Sequence, residues 1–215
     1  MNSEFIELSD FRPNFDNALL AEKSGLPLAE VAKLAAEAAQ NCSGQGCAII
    51  CSCQALPGDT VLICERPFTS PLLSEKLSGL GRVFPYLVSE GAKMAAWGAS
   101  YKGKPEAQLV HLLRQTAVKA CEAEIEARLR ERFGIAILSS LNPGSLRDWP
   151  ISEQQNLLAL LGPLPAKLGV SLLPSGIMQP DYSVSGVFFQ TDKKYYNCQL
   201  CPRQGCPNRK APAEK

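Results

Sequence analysis

The sequence has a single histidine, His111. One imidazole with no supporting motif cannot complete a Ser–His–Asp or Cys–His nucleophile set, so hydrolytic chemistry of that kind is excluded. His111 sits beside Leu112 and Leu113 in a helix-periodic stretch and reads as a surface or half-buried structural residue. There is no uninterrupted run of about 18 apolar residues, which excludes a transmembrane helix. The opening MNSEFIELSDFRPNF is acidic and aromatic. It lacks the basic start and apolar centre of a signal peptide, so a cytoplasmic location and no membrane partner are expected. Net charge is only +1, too little for a field that steers the chain to nucleic acid or an anionic membrane. The sequence contains no Walker loop, no dinucleotide-binding glycine motif and no internal repeat. The cations Arg203, Arg209 and Lys210 near the end are too few to imply nucleic-acid binding.

What is present is a globular composition, 46% hydrophobic and 20% charged. A chain of 215 residues fits one or two domains and can bury a true core. Residues 1–26 hold scattered aromatics, Pro13 and Gly25 without a clear period, and read as an arm packed on the body. Leu28, Val31, Leu34, Ala35 and Ala38 share one face, which predicts an amphipathic helix over 28–39. Residues 48–51 and 60–64 read as short buried strands joined through Pro57-Gly58-Asp59. Ser70 and Pro71 have the chemistry of an N-cap and first helical residue for a helix over 72–80. A strand is expected over 83–88 and a short helix over 92–97. The longest helix is expected over 106–133, ending at Gly134. Its apolar positions Leu109, Leu113, Ala117, Cys121, Ile125 and Leu129 recur every four residues, with Glu124–Arg128 and Glu126–Arg130 pairs on the wet side. A strand over 135–138 follows. Ser152 with Gln155 resembles a capping box opening a helix that ends at Leu161, and a last strand spans 184–190. This mixed order points to an α+β fold rather than a regular βαβ series.

Nine cysteines are many for such a chain, and an odd count without a signal peptide argues against a disulfide framework. Composition shifts after Asn197 to Cys, Pro and basic residues, setting off 198–215 as a Cys-rich metal-binding tail. Cys198, Cys201 and Cys206 form its knuckle. The x2 spacing lets a turn aim two thiolates at one metal or cluster, with backbone amides donating to the sulfurs. An iron–sulfur cluster and zinc both suit this set. A fourth ligand would come from Cys42, Cys47, Cys51, Cys53, Cys64 or Cys121, or from a small molecule. Cys42, Cys47, Cys51 and Cys53 form a looser set around the flexible loop Ser43-Gly44-Gln45-Gly46. Metal ligation and simple burial suit this set equally. Cys51 and Cys53 alternate along a strand and so face the same side.

Residues 172–196, LLPSGIMQPDYSVSGVFFQTDKKYY, carry Met178, Pro180, Ser183, Val184, Ser185, Gly186, Phe189, Lys194, Tyr195 and Tyr196 in a distinctive order. Upstream, Asn142-Pro143-Gly144-Ser145 precedes Trp149-Pro150 and a polar helix start. This pattern resembles the activation domain of cobalamin-dependent methionine synthase, well over 105–196 and vaguely before that. The resemblance implies that 27–197 is such a domain, free-standing, with helices around a twisted, mainly antiparallel sheet. It implies S-adenosylmethionine binding by Pro143, Gly144, Tyr195 and Tyr196, with Arg147, Trp149, Ser183, Ser185 and Gly186 as further pocket residues. It implies a role as an accessory protein in reductive reactivation and remethylation of a corrinoid enzyme such as methionine synthase. The partners would be that cobalamin-carrying protein and an electron-donor protein. Whether the chain is itself an enzyme stays open. The family arginine falls at Ser140, the family tyrosine at Ser145, and the acidic anchor near the family N-terminus has no counterpart. The alternatives are therefore a non-catalytic module that binds a corrinoid protein or senses redox state, and a small zinc-stabilised interaction domain.

Overall fold

The computed structural model describes residues 5–201, 203 and 209–212. Its elements in chain order are β1 (Phe5–Phe11), α1 (Asn17–Ser24), α2 (Leu28–Asn41), β2 (Gly44–Ile49), β3 (Cys51–Leu56), β4 (Thr60–Ile63), β5 (Arg66–Thr69), α3 (Pro71–Leu77), β6 (Arg82–Ser89), α4 (Ala92–Ala99) and α5 (Ala107–Phe133). Then come β7 (Leu138–Leu141), α6 (Gln154–Leu160), α7 (Leu164–Lys167), β8 (Ser171–Leu172), β9 (Met178–Gln179) and β10 (Ser183–Gln190), with single 3-10 turns at Ile151–Glu153 and Asn197–Gln199. The fold is α+β, and the pairings that build the main sheet are antiparallel.

β6 is the centre of the sheet. Along one edge it meets β2, with Ala48 opposite Tyr86, and then β3, with Cys51 opposite Val83. Along the other edge it pairs with β10, from Ser183 opposite Ser89 to Phe188 opposite Phe84. β10 in turn pairs with β7. Both faces of this centre are covered. Val187 and Phe189 pack toward α3 and Leu157, while Phe84, Tyr86, Val88 and Phe188 pack toward α5. A strand buried on both faces is apolar without alternation, which is why 83–88 reads as one apolar run.

α5 lies close against β2 because Gly44 has no side chain. A Cβ there would come within 2.3 Å of Cys121 Sγ. Of residues 43–46, expected as a flexible loop, 44–46 therefore belong to a strand. Their glycines mark a close approach of helix to sheet and not mobility. Ser70 caps α3 as expected, its hydroxyl accepting from the Leu73 amide at 3.1 Å and donating to the Asp148 carbonyl at 2.7 Å. α5 ends at Gly134, whose amide bonds Arg130 O.

Several expectations are corrected. Within 1–26, β1 pairs with β2 and α1 is capped by Asp16, so residues that showed no period supply regular elements. The stretch 48–51 straddles the step from β2 to β3 at Ile50. The strand after α5 covers Leu138–Leu141, later than 135–138, because its register is set by β10. Ser152 and Gln155 form no capping box: a 3-10 turn leads into α6 without a side-chain cap. Cys51 and Cys64 are joined by a disulfide, their Cα atoms 5.0 Å apart, against the expectation of no bridges. The geometry of the β3–β4 hairpin brings these two together across its open end. Cys51 and Cys53 do share a buried face.

Cys42, Cys47, Cys53 and Cys121 are buried free thiols. Burial pushes the thiol of Cys47 up to about 12 and that of Cys53 up to about 11, so neither is ionised at neutral pH. Native protein treated with a chelator and then iodoacetamide should be modified at Cys198 and Cys201, which are partly exposed, while the four buried thiols react only after unfolding. Mass spectrometry of native and denatured samples measures this. Modification of Cys47 as fast as Cys198 would contradict the packing.

Candidate functional site

A cleft of about 780 Å³ opens where α5, the end of β7, the loop entering β10 and the chain after β10 converge. Volumes of this size suit a ligand of cofactor dimensions. One wall is a face of α5 carrying Lys119, Glu122 and Glu126. The end of β7 contributes Ser140, Asn142 and Pro143. The loop 176–181 and the start of β10 bring Gly176, Asp181, Ser183 and Ser185. Tyr195, Tyr196 and Cys198 close the remaining side.

Asn142 fastens these parts together. Its side-chain amide donates to Tyr86 Oη and to the Ser185 carbonyl, both at 2.8 Å, and its oxygen accepts from Asn197 Nδ2 at 3.2 Å. Tyr86 donates in turn to Glu122 at 2.5 Å. Burial, reinforced by the Glu122 charge, drives the Tyr86 hydroxyl well above its ordinary range, so it stays a fixed donor. Asn142 can reach Ser185 only because residue 186 is glycine: a Cβ there would sit 2.4 Å from the Leu141 carbonyl oxygen and 2.5 Å from Asn142 Nδ2. Gln154 Nε2 donates to Ser185 Oγ at 2.6 Å. Tyr195 is placed by its amide, which donates to Ser139 Oγ at 2.7 Å. Lys194 reaches Glu126 at 2.6 Å.

Beyond the loop 179–182 lies a second ionic group. Arg114, on α5, holds the wholly buried Glu90 through two nitrogens, one at 2.8 Å, and also binds Asp181 at 2.7 Å. Its guanidinium lies 3.8 Å from the centre of the Tyr182 ring, and the Tyr182 hydroxyl bonds His111 Nδ1. Burial raises the Glu90 carboxyl above its ordinary value, opposed by Arg114.

Of the residues singled out in the sequence, Pro143, Ser183, Ser185, Tyr195 and Tyr196 line the one cleft. Gly144 follows at φ +77° and faces Ile151 instead, and Gly186 lies beneath the cleft as the close-approach residue. Arg147 is exposed away from it. Trp149 is fully buried in the core, edge-on to Phe68 at 6.5 Å. The Gly144 amide bonds the Trp149 carbonyl at 2.8 Å, so the backbone of this residue closes the turn while its ring lies in the core. Ser140 and Ser145, the two departures from the family pattern, both line the cleft. Cys198 lines it too and accepts the Lys210 amide at 3.4 Å. Cys206 lies outside the described residues. Among the described residues no group of three or more His, Cys, Asp or Glu side chains is placed to hold a metal. Of the fourth ligands considered, Cys51 and Cys64 are bonded to each other.

The sequence reading did not single out Asn142, Glu90, Arg114, Asp181, Gln154 or Glu122 for these contacts. The one available signal was a lone arginine four residues from each of the buried Val110 and Val118 on α5.

No family model matches the chain, and no curated protein matches its sequence. Among solved structures, its fold is similar to a crystal structure of the MetH reactivation domain bound to AdoHcy. The TM-score is 0.60 at 17% identity, covering 90% of this chain and 81% of that one. The likeness is one of fold, and it agrees with the helices-around-antiparallel-sheet architecture that residues 172–196 implied.

Arg114→Met would leave Glu90 buried without a partner, costing about 3–5 kcal/mol, measured by urea denaturation. The double change E90Q/R114M should recover most of that. The R114M penalty should shrink on acidification. A carboxyl whose folded-state pKa exceeds its unfolded value takes up protons on folding, so stability rises as pH falls through the folded value toward the ordinary 4.5. A pH-independent penalty would rule out Glu90 as its source.

Proposed function

We propose that this protein binds S-adenosylmethionine in the cleft between α5 and the Tyr195–Tyr196 segment and serves in reactivating a cobalamin-carrying enzyme of the methionine synthase type. The observation that carries the reading is the meeting of Pro143, from the turn after β7, with Tyr195 and Tyr196, from beyond β10, on one cleft. The fold likeness to a domain solved with AdoHcy supports it.

The residues present suit such a ligand. Tyrosine rings offer a flat, electron-rich surface to an adenine or a sulfonium. The Ser185 hydroxyl, held by Gln154, offers a polar contact at a floor whose hydrogen bonds the Asn142 amide already fixes. Glu122 and Asp181 supply negative charge for a cationic ligand. S-adenosylmethionine would supply a methyl group activated by its sulfonium, and a corrinoid on a partner protein would receive it. The chain's part is then to bind, orient and exclude water.

A second reading keeps the corrinoid-protein partner without the ligand. Ser140 and Ser145 stand in the cleft where the family pattern has an arginine fork for a carboxylate and a tyrosine. The tail completes the proposal: Cys198, Cys201 and Cys206 would hold an iron–sulfur cluster or zinc. The Lys210 amide on the Cys198 sulfur and Arg209 across the carbonyls of Cys198 and Cys201 suit a thiolate loop.

Calorimetric titration with S-adenosylmethionine should show one site per chain. Asn142→Ala should weaken it about tenfold or more by freeing the turn from β10. Absence of binding by wild-type protein, with and without a corrinoid partner, would leave only the second reading. Metal counting after anaerobic purification should find iron with visible absorption, or zinc, lost in Cys198→Ala. Neither metal in wild-type protein would remove the knuckle from the proposal.

A further inference from the structure

We propose that Asp181 makes the cleft prefer a positively charged sulfonium ligand over the neutral thioether that results from methyl loss, and that Arg114 and Glu90 act as positioning residues for its carboxylate. The inference rests on the ligand reading above and deepens it.

The charged side chains lining the cleft are three acids, Glu122, Glu126 and Asp181, and three lysines, Lys119, Lys194 and Lys210, so what a ligand meets depends on where each charge lies. Glu126 is neutralised by Lys194 at 2.6 Å. Glu122 accepts the Tyr86 hydroxyl and keeps its charge, but that bond fixes it toward the sheet under the Asn142 turn. Glu90 and Arg114 form a pair whose side chains are 0% and 11% exposed. Within that triad one positive charge faces two negative ones, so Asp181 carries the excess. Its side chain is 62% exposed, and it lines both the main cleft and a smaller cavity of about 360 Å³ between α4 and α5. The net negative charge of a buried ionic group is thus delivered at the cleft wall, where a cation can meet it without first stripping water from a buried acid.

The carboxylate is held and not merely near. Arg114 meets Asp181 at 2.7 Å and has no freedom to turn away. Two of its nitrogens are committed to Glu90, its plane rests on Tyr182, and Gly98 gives it the space it occupies, where a Cβ would lie 2.5 Å from Arg114 Cδ. The same loop is fastened by Tyr182 to His111 and by the Ser183 hydroxyl to the Pro180 carbonyl at 2.7 Å. A fixed fork on a fixed carboxylate differs from a surface charge that can rotate to follow any ligand. The charges facing Asp181 from neighbouring elements are Arg114 and Glu90, and Tyr182 adjoins it in the chain. Losing the sulfonium charge removes the attraction, so the site would release the spent thioether more readily than the methyl donor.

The test is calorimetric titration of wild type, Asp181→Asn and E90Q/R114M with S-adenosylmethionine and S-adenosylhomocysteine. Asp181 is exposed, so D181N should fold, as circular dichroism can verify. Wild type should bind the sulfonium about fivefold more tightly than the thioether, the size expected of a partly exposed charge pair, and the preference should fade as salt is raised. D181N should lose the preference by weakening sulfonium binding alone. E90Q/R114M should lose most of it, although Asp181 is still present. Equal weakening of both ligands in D181N, or none, overturns the role of Asp181. A wild-type preference in E90Q/R114M overturns the positioning role. Wild type that binds neither ligand overturns the cleft reading itself, and this inference with it.

Discussion

No side chain fits at residue 186, and the site depends on that. Where β10 passes under the end of β7, the two backbones come so close that a methyl group would strike the Leu141 carbonyl. The space left is filled by the Asn142 amide, which uses both its hydrogens and its oxygen at once, on Tyr86, Ser185 and Asn197. An amide has only these few bonding directions, and here they run to three different segments of the chain. The Pro143 turn, the central strand pair, α5 through Tyr86 and Glu122, and the segment leading into the tail are therefore located by one residue. Asn142 itself is satisfied at both hydrogens and its oxygen, whereas at the edge of the network Asn197 Oδ1 is buried without a hydrogen-bond partner. Tyr86, held protonated by burial, ensures that the donor to Glu122 is always present.

Much of this was legible in the sequence, for identifiable reasons. α5 announced itself because its apolar residues repeat every four positions and end at a glycine. α3 was legible because Ser70 and Pro71 carry their capping chemistry locally. Pro143, Ser185, Tyr195 and Tyr196 were found together through a residue pattern rather than through periodicity. What failed was decided at long range. The position of β7 is fixed by pairing with β10, tens of residues later, and not by the apolar run that follows Gly134. Trp149 next to a proline–glycine turn reads as a ligand surface, yet its large apolar ring gains more from burial against Phe68 than from a wet cleft. Gly44 and Gly46 read as loop glycines when they are the places where a helix touches a sheet. The Glu90–Arg114–Asp181 group joins residues 24 and 67 positions apart, and no local spacing carries that information.

The same long helix that was easiest to read also sets the width of the cleft. Its apolar stripe, through Leu113, Ala117, Cys121 and Ile125, lies against the helices and the sheet. Beside it runs a polar stripe of which the pattern flagged only Glu126, expected to pair with Arg130 and found with Lys194. His111 and Arg114 fasten the loop carrying Asp181 and Tyr182, Glu122 receives Tyr86 under the Asn142 turn, and Glu126 receives Lys194 next to the tyrosine pair. These positions fall near whole turns of a 3.6-residue helix, so they share one flank. Each wall of the cleft is thus tied to a different turn of one rigid rod, and the distance between the walls is counted in helical turns. A loop-built pocket would adjust to whatever entered it. A pocket whose walls are spaced along a helix packed on its sheet by Gly44 cannot adjust without moving that helix, so discrimination between ligands there would have to come from fixed charge and fixed donors.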